Sequence, residues 1–245
     1  MTAQEFLRSV ESFPVAERPL VIEPAAERQL RSCIAGGGPI LLGEMHGALE
    51  NPLVIWTLLS RLSLRVLALE WDFALAAVVH RYGDGDGLDF SRFDHSCDGR
   101  ITAGHFAVIR DLHRRGRLDR LTLFSGPSPT EWSERDRLMA GRLIEGLEGA
   151  SPALVVAGGL HTRLEPHEHG VPMGYHVAVK FQAATEVRMR YLCGEIFNAG
   201  LRRVGGGHAH AQSGNELKLV VDKGRLSLIV PVAHPATVPD PGCRH

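Results

Sequence analysis

No excess of charge of either sign runs through this chain: 27 Lys and Arg stand against 28 Asp and Glu, a net charge of −1. It therefore lacks the basic field that neutralises phosphates, which argues against sequence-independent nucleic-acid binding. The local run His113-Arg114-Arg115-Gly116-Arg117 reads instead as the solvated end of a helix. Cysteine is scarce as well. Cys33, Cys97, Cys193 and Cys243 lie far apart with no C-x-x-C pair, so no disulfide framework is expected, and reduced thiols suit the cytosol. The opening MTAQEFLRSVESFPVAERP has no uninterrupted apolar run of the secretory kind, and no segment reaches the length that spans a bilayer. Internal repeats are missing too. These absences lead to the expectation of a soluble, cytoplasmic protein whose partner is a small-molecule substrate, with no nucleic acid and no membrane. The oligomeric state stays open.

What is present is an ordinary globular composition, 44% hydrophobic and 22% charged over 245 residues, enough to bury a full core. "PILLGEM" reads as a buried strand, and Asn51-Pro52 as the cap and first residue of the helix that follows it. "LRVLALEW", residues 64–71, is a second strand with Glu70 at its carboxyl end, and FALAAVVHRY is a helix stopped by Gly83. DGDGLDFSRFDH begins like a calcium loop but places Leu88 and His95 where ligands belong, so that reading fails. Thr102 caps a helix through HFAVIRDLHRR, and LDRLTLFS is a third strand. Ser128-Pro129-Thr130-Glu131 has the form of a capping box ahead of WSERDRLMAGRLIEGLEG. PALVVAGGLHT is a fourth strand, GYHVAVKFQAA a helix and EVRMRYLCG a strand. ELKLVVDKGRLSLIVPVA forms a hairpin about Asp222-Lys223-Gly224. The alternation predicts an α/β fold: a mostly parallel sheet with helices on both faces and an antiparallel C-terminal hairpin. One domain over 1–245 is expected, with 1–38 a lead-in helix region and 235–245 a loose tail.

Ligands of such sheets bind outside the carboxyl ends of the strands. Three strand ends here carry ionisable groups: Glu44 with His46, then Glu70, then His161. The helix after Thr130 adds Arg135 and Asp136, the latter inside the apolar stripe Trp132, Met139, Leu143, Leu147, where a charge needs a partner. Arg135 has Asp136, Glu44, Glu70 or a substrate oxygen as prospective partners. Singly, each of these has an ordinary explanation, such as Glu44 at a helix dipole or Arg135 with Asp136 as a structural ion pair. Together they suit two chemistries. In one, His46 is a general base oriented by a glutamate, with His161 or Arg135 stabilising an oxyanion. In the other, His46, His161 and a glutamate ligate a divalent metal. No HExxH spacing decides between them. His105, on a face with Val108, Ile109 and Leu112, reads as a packed core histidine. His167, His169, His208 and His210 read as solvated loop residues, and His176 is a weak ligand candidate.

"LLGEMHGALENP", the strand-end Glu70, "ERDRLMAGRLI" and "ALVVAGGLHT" with "VPMGYHVA" resemble, in order and spacing, the motif series of the erythromycin esterase / ChaN-like haem-binding / TraB–Tiki superfamily. The resemblance implies an α/β fold with its site at one sheet edge. It assigns Glu44 and His46 to the first motif, Glu70 to the second, Arg135 and Asp136 to the third and His161 to the fourth. Gly159 stands where several relatives carry Asn. Esterase-like members open a macrolide lactone with the first-motif histidine as proposed base, ChaN-like members bind haem, and Tiki-like members are metal-dependent proteases. The chain is short for a macrolide esterase. The expectation is therefore a small hydrolase acting on an ester, lactone or amide carbonyl, with a haem- or metal-binding module without catalysis as the alternative. A divalent metal or haem is the open cofactor question.

Overall fold

The structure, a computed structural model, describes residues 2–93, 98–127, 129, 131–150, 152–205 and 216–239. Its strands are β1 (Leu20–Ile22), β2 (Ile40–Glu44), β3 (Val66–Asp72), β4 (Arg120–Ser125), β5 (Leu154–Gly158), β6 (Thr185–Phe197), β7 (Leu201–Arg203), β8 (Leu217–Asp222) and β9 (Arg225–Ala233). They join one sheet in the order β1-β8-β9-β6-β2-β5-β3-β4, with β7 pairing β6. All pairs are parallel except β8 with β9 and β6 with β7. The hairpin turns through Lys223 and Gly224, both at positive φ (50° and 79°), the backbone that matches a two-residue turn to strand twist.

Among the described residues the α-helices are α1 (Ala3–Ser12), α2 (Pro24–Ala35), α3 (Glu50–Arg61), α4 (Ala76–Gly83), α5 (Ala103–Arg114), α6 (Trp132–Leu147) and α7 (Met173–Lys180). The central strands are apolar on both faces because both are covered. Leu41, Ala68, Val155 and Ala157 pack on α6 and α7 through Met139, Leu143, Leu147, Met173 and Val177. Their strand neighbours Ile40, Leu42, Leu67, Leu69, Leu154 and Val156 belong to the larger core, with residues of α1, α2, α3 and α5. Period-two alternation thus sorts each strand between two cores.

Several local expectations are corrected. The stretch 1–38 holds two helices and β1, which pairs β8, so it is built into the sheet. Asn51 is not a helix cap: α3 begins at Glu50, and the Asn51 amide donates to the Met45 carbonyl (2.9 Å) and accepts from the Tyr191 hydroxyl (2.6 Å). Burial reassigned that side chain from the helix end to the strand behind it. At α6 the cap is Glu131, whose carboxylate accepts from the amides of Ser133 and Glu134; Ser128 and Thr130 lie outside the described residues. The same holds for Cys97, Cys243, His208, His210 and residues 240–245. Residues 235–238 are not loose. Ala48 bridges Pro235, the Ala236 amide donates to the Gly47 carbonyl (2.9 Å), and the Ala103 amide donates to Thr237 (2.9 Å). No helix among the described residues is long and apolar enough to cross a membrane.

Candidate active site

The chain leaves β2 to one side, through β3 and β4, and later returns to place β5 and β6 on either flank of β2. Direction therefore reverses at β2, the position where such sheets open a crevice at the carboxyl edge. Glu44 ends β2, in register with Gly158 at the end of β5. Glu70 falls where the β3–β4 register shifts between Leu69 and Asp72, an irregularity of the kind that re-aims a side chain.

Glu44 and Glu70 are each only 4% exposed, so their charges require partners. Glu70 has several: the Gly158 amide donates to its Oε2 at 2.7 Å, and the Arg100 guanidinium lies 3.1 Å from its Oε1. Burial favours the acid form, but Arg100, then His161 and His46, then the Gly158 N–H outweigh it and hold the carboxyl at about 2. Glu70 is a fixed anion. Glu44 differs: burial pushes its carboxyl up, against the pull of His46, and among the described residues its Oε2 has no hydrogen-bond partner.

Two imidazoles flank Glu70, each anchored from behind by a carboxylate. His46 Nδ1 lies 3.0 Å from Glu44 Oε1, and His161 Nδ1 lies 2.8 Å from Asp136 Oδ1. Asp136 is fully buried and also accepts from the Met173 amide (2.8 Å) at the start of α7. When a ring is neutral and its carboxylate ionised, Nδ1 carries the hydrogen, because the carboxylate can only accept, and Nε2 presents a lone pair. His46 Nε2 and His161 Nε2 each stand 3.8 Å from a Glu70 oxygen, beyond hydrogen-bond length. They differ in one respect: Arg135 Nη2 lies 3.2 Å from His161 Nε2. Burial lowers the basicity of His46, but the Glu44 hydrogen bond and the charges of Glu70 and Glu44 more than compensate, so its pKa is raised. Gly158 lies between the rings: a β-carbon there would meet His46 Nε2 at 3.3 Å, His161 Cδ2 at 3.4 Å and Glu70 Oε2 at 3.6 Å.

All six expected residues, Glu44, His46, Glu70, Arg135, Asp136 and His161, thus meet at one edge. The cation on Glu70, however, is Arg100 rather than Arg135. Arg100 arrives on the loop before α5, held by Asp98 (2.6 Å), and no strand-end pattern marked it. Trp132 is not core: half-buried, it stacks on His161 (centroids 5.3 Å apart, planes 10° apart). His167 packs edge-on against that same indole at 4.8 Å, whereas His169 is the exposed loop residue expected. His105 is a core histidine, buried against Trp71 and paired with Thr102 (2.8 Å); burial, with the charge of His46, pushes it down to about 3, so it is neutral. His176 lies on α7 beside Tyr175, at 5.8 Å.

A divalent metal does not fit this donor set: the Glu70 oxygens are taken by Arg100 and Gly158, and a guanidinium faces His161 Nε2, which leaves His46 Nε2 as the open nitrogen of the pair. Among the described residues no three His, Cys, Asp or Glu side chains are grouped to hold a metal. The cleft above, about 570 Å³, is lined by both kinds of side chain, with Arg100, Arg202 and Arg203 beside Met45, Leu160 and Ile196.

No protein-family model matches the sequence, and no curated protein matches it. Solved structures do share the fold. A Bacillus cereus protein aligns over 97% of this chain and 99% of its own at 9% identity (TM-score 0.63). A succinoglycan biosynthesis protein aligns over 96% and 98%, also at 9% identity (TM-score 0.62). An erythromycin esterase variant in its open conformation aligns over 87% and 95% at 12% identity (TM-score 0.62). At these identities the likeness is one of fold.

Proposed function

We propose that this chain, as one α/β domain, is a small hydrolase that adds water to an ester, lactone or amide carbonyl, and that it belongs to the superfamily its motifs resemble. The observation that carries the reading is the asymmetry of the two carboxylate-anchored histidines about Glu70: Arg135 occupies His161 Nε2 at 3.2 Å, whereas among the described residues His46 Nε2 faces Glu70 at 3.8 Å and has no hydrogen-bond partner. His46 is then the base. Its Nε2 takes a proton from water as the water oxygen bonds to the carbonyl carbon. The developing imidazolium is stabilised by Glu44 and Glu70, and the oxyanion by Arg135, which His161 and Asp136 hold in place. The bond from carbonyl carbon to leaving oxygen or nitrogen breaks, and His46 returns its proton to the leaving atom. The shared fold with an erythromycin esterase supports the same reaction class.

The test is hydrolysis of para-nitrophenyl esters as a function of pH. A base must be neutral to act, and the pKa of His46 is raised above its ordinary 6.5. Turnover is therefore expected to rise with pH through a midpoint above that value and to be lost below it. A rate that stays flat across the histidine range rejects His46 as the base.

Gly158→Ala is expected to leave folding intact and to lower turnover about tenfold or more, because the new methyl fills the space between the two rings and Glu70. An unchanged rate in a folded variant places the reacting atoms elsewhere.

A further inference from the structure

The cleft over the histidines is lined by two kinds of side chain. Met45 and Leu160, which follow β2 and β5, are 44% and 40% exposed in it. Arg202 and Arg203 of β7 line it as well. Arg202 spends one donor on the Asn198 carbonyl (2.9 Å), and among the described residues it forms no ion pair. Arg203 reaches Glu195 only at 3.8 Å, with its side chain 92% exposed. The carboxylates of the cleft are committed inward: Asp98 to Arg100 at 2.6 Å and Glu44 to His46 at 3.0 Å. In the β6–β7 register Arg202 stands beside Ile196, which also lines the cleft, and Arg203 beside Glu195, so Arg202 shares the cleft with the histidines, Met45 and Leu160 while Arg203 adds its charge at the rim.

We infer that the substrate carries a carboxylate beside its scissile carbonyl, held by Arg202 with Arg203 adding charge at the rim, and an apolar group that Met45 and Leu160 accept. The inference rests on the hydrolase reading and names the substrate class. A guanidinium offers a planar fork of donors that matches a carboxylate, and a charge so paired contributes more than a neutral hydrogen bond. The volume of about 570 Å³ suits a small molecule.

The test compares kcat/KM for para-nitrophenyl hemisuccinate and para-nitrophenyl butyrate, in the full chain and in an Arg202→Ala, Arg203→Ala double variant. The anionic ester is expected to be preferred about tenfold or more, the scale of a charged hydrogen bond. The ratio should fall towards one in the double variant and narrow at high salt. Equal values in the unaltered chain, or a preference that survives the double variant, overturn the inference and leave the hydrolase standing. If neither ester is cleaved, the hydrolase reading fails and a binding arm decides the inference. Calorimetry with succinanilate and butyranilide then supports it if the anion binds more tightly and loses that advantage in the double variant. Equal binding overturns it.

Discussion

His46→Ala is expected to lower turnover of an activated ester by at least about a hundredfold, the usual scale for a lost general base. The ring stands at the rim of the cleft and is tied down by Glu44, so its removal takes nothing from either hydrophobic core. Glu70 keeps Arg100 and the Gly158 amide, and His161 keeps Asp136 and Arg135. The loss therefore belongs in kcat, with KM nearly unchanged, because the ring acts on water rather than on the bound substrate. Steady-state kinetics and a thermal melt on one preparation check both parts. A variant that melts like the parent and turns over at the parental rate sinks the assignment.

Gly47→Ala is the second large effect, on stability, and it is expected to exceed about 3 kcal/mol through left-handed backbone strain and a methyl with no room. Gly47 has φ +85°, and a β-carbon on it would overlap the Phe197 carbonyl oxygen, which is backbone and cannot swing aside. Its own carbonyl accepts from the amides of Phe197 (3.0 Å) and Ala236 (2.9 Å), so the turn cannot shift without breaking both bonds. Gly99 packs against the same point. Gly116→Ala is the control: φ is +61° there, with nothing within 4 Å of the added carbon, so it carries only the backbone cost of about 1–2 kcal/mol. Urea unfolding of the two variants separates them, and equal midpoints contradict the close-packed turn.

The parts of this site legible in the sequence are those where a polar residue ends an apolar run. Glu44, Glu70 and His161 interrupt β2, β3 and the segment after β5, and only the carboxyl edge of a covered sheet has use for such residues. Asp136 was legible because a charge inside the α6 stripe needs a partner, and it found His161 at 2.8 Å. Arg100 was not, because its place beside Glu70 depends on packing between distant turns around Gly47, Gly99 and Phe197, which leaves no periodic trace. Trp132 misled for a related reason. Helical spacing puts it on the stripe of α6, but as the first residue of the helix it lies past the core and over His161. β1 and β7 have three residues each, too few for an alternation to be counted.

The segment after β9 closes over the reactive turn. Besides the Ala236 bond to Gly47, His234 binds the buried Glu50 through Nδ1 (2.6 Å) and its amide (3.0 Å), across 184 positions of sequence. During synthesis the turn bearing His46 leaves the ribosome long before the segment that clasps it. A growing chain therefore holds His46 in a half-built setting until residues 234–238 have emerged and docked.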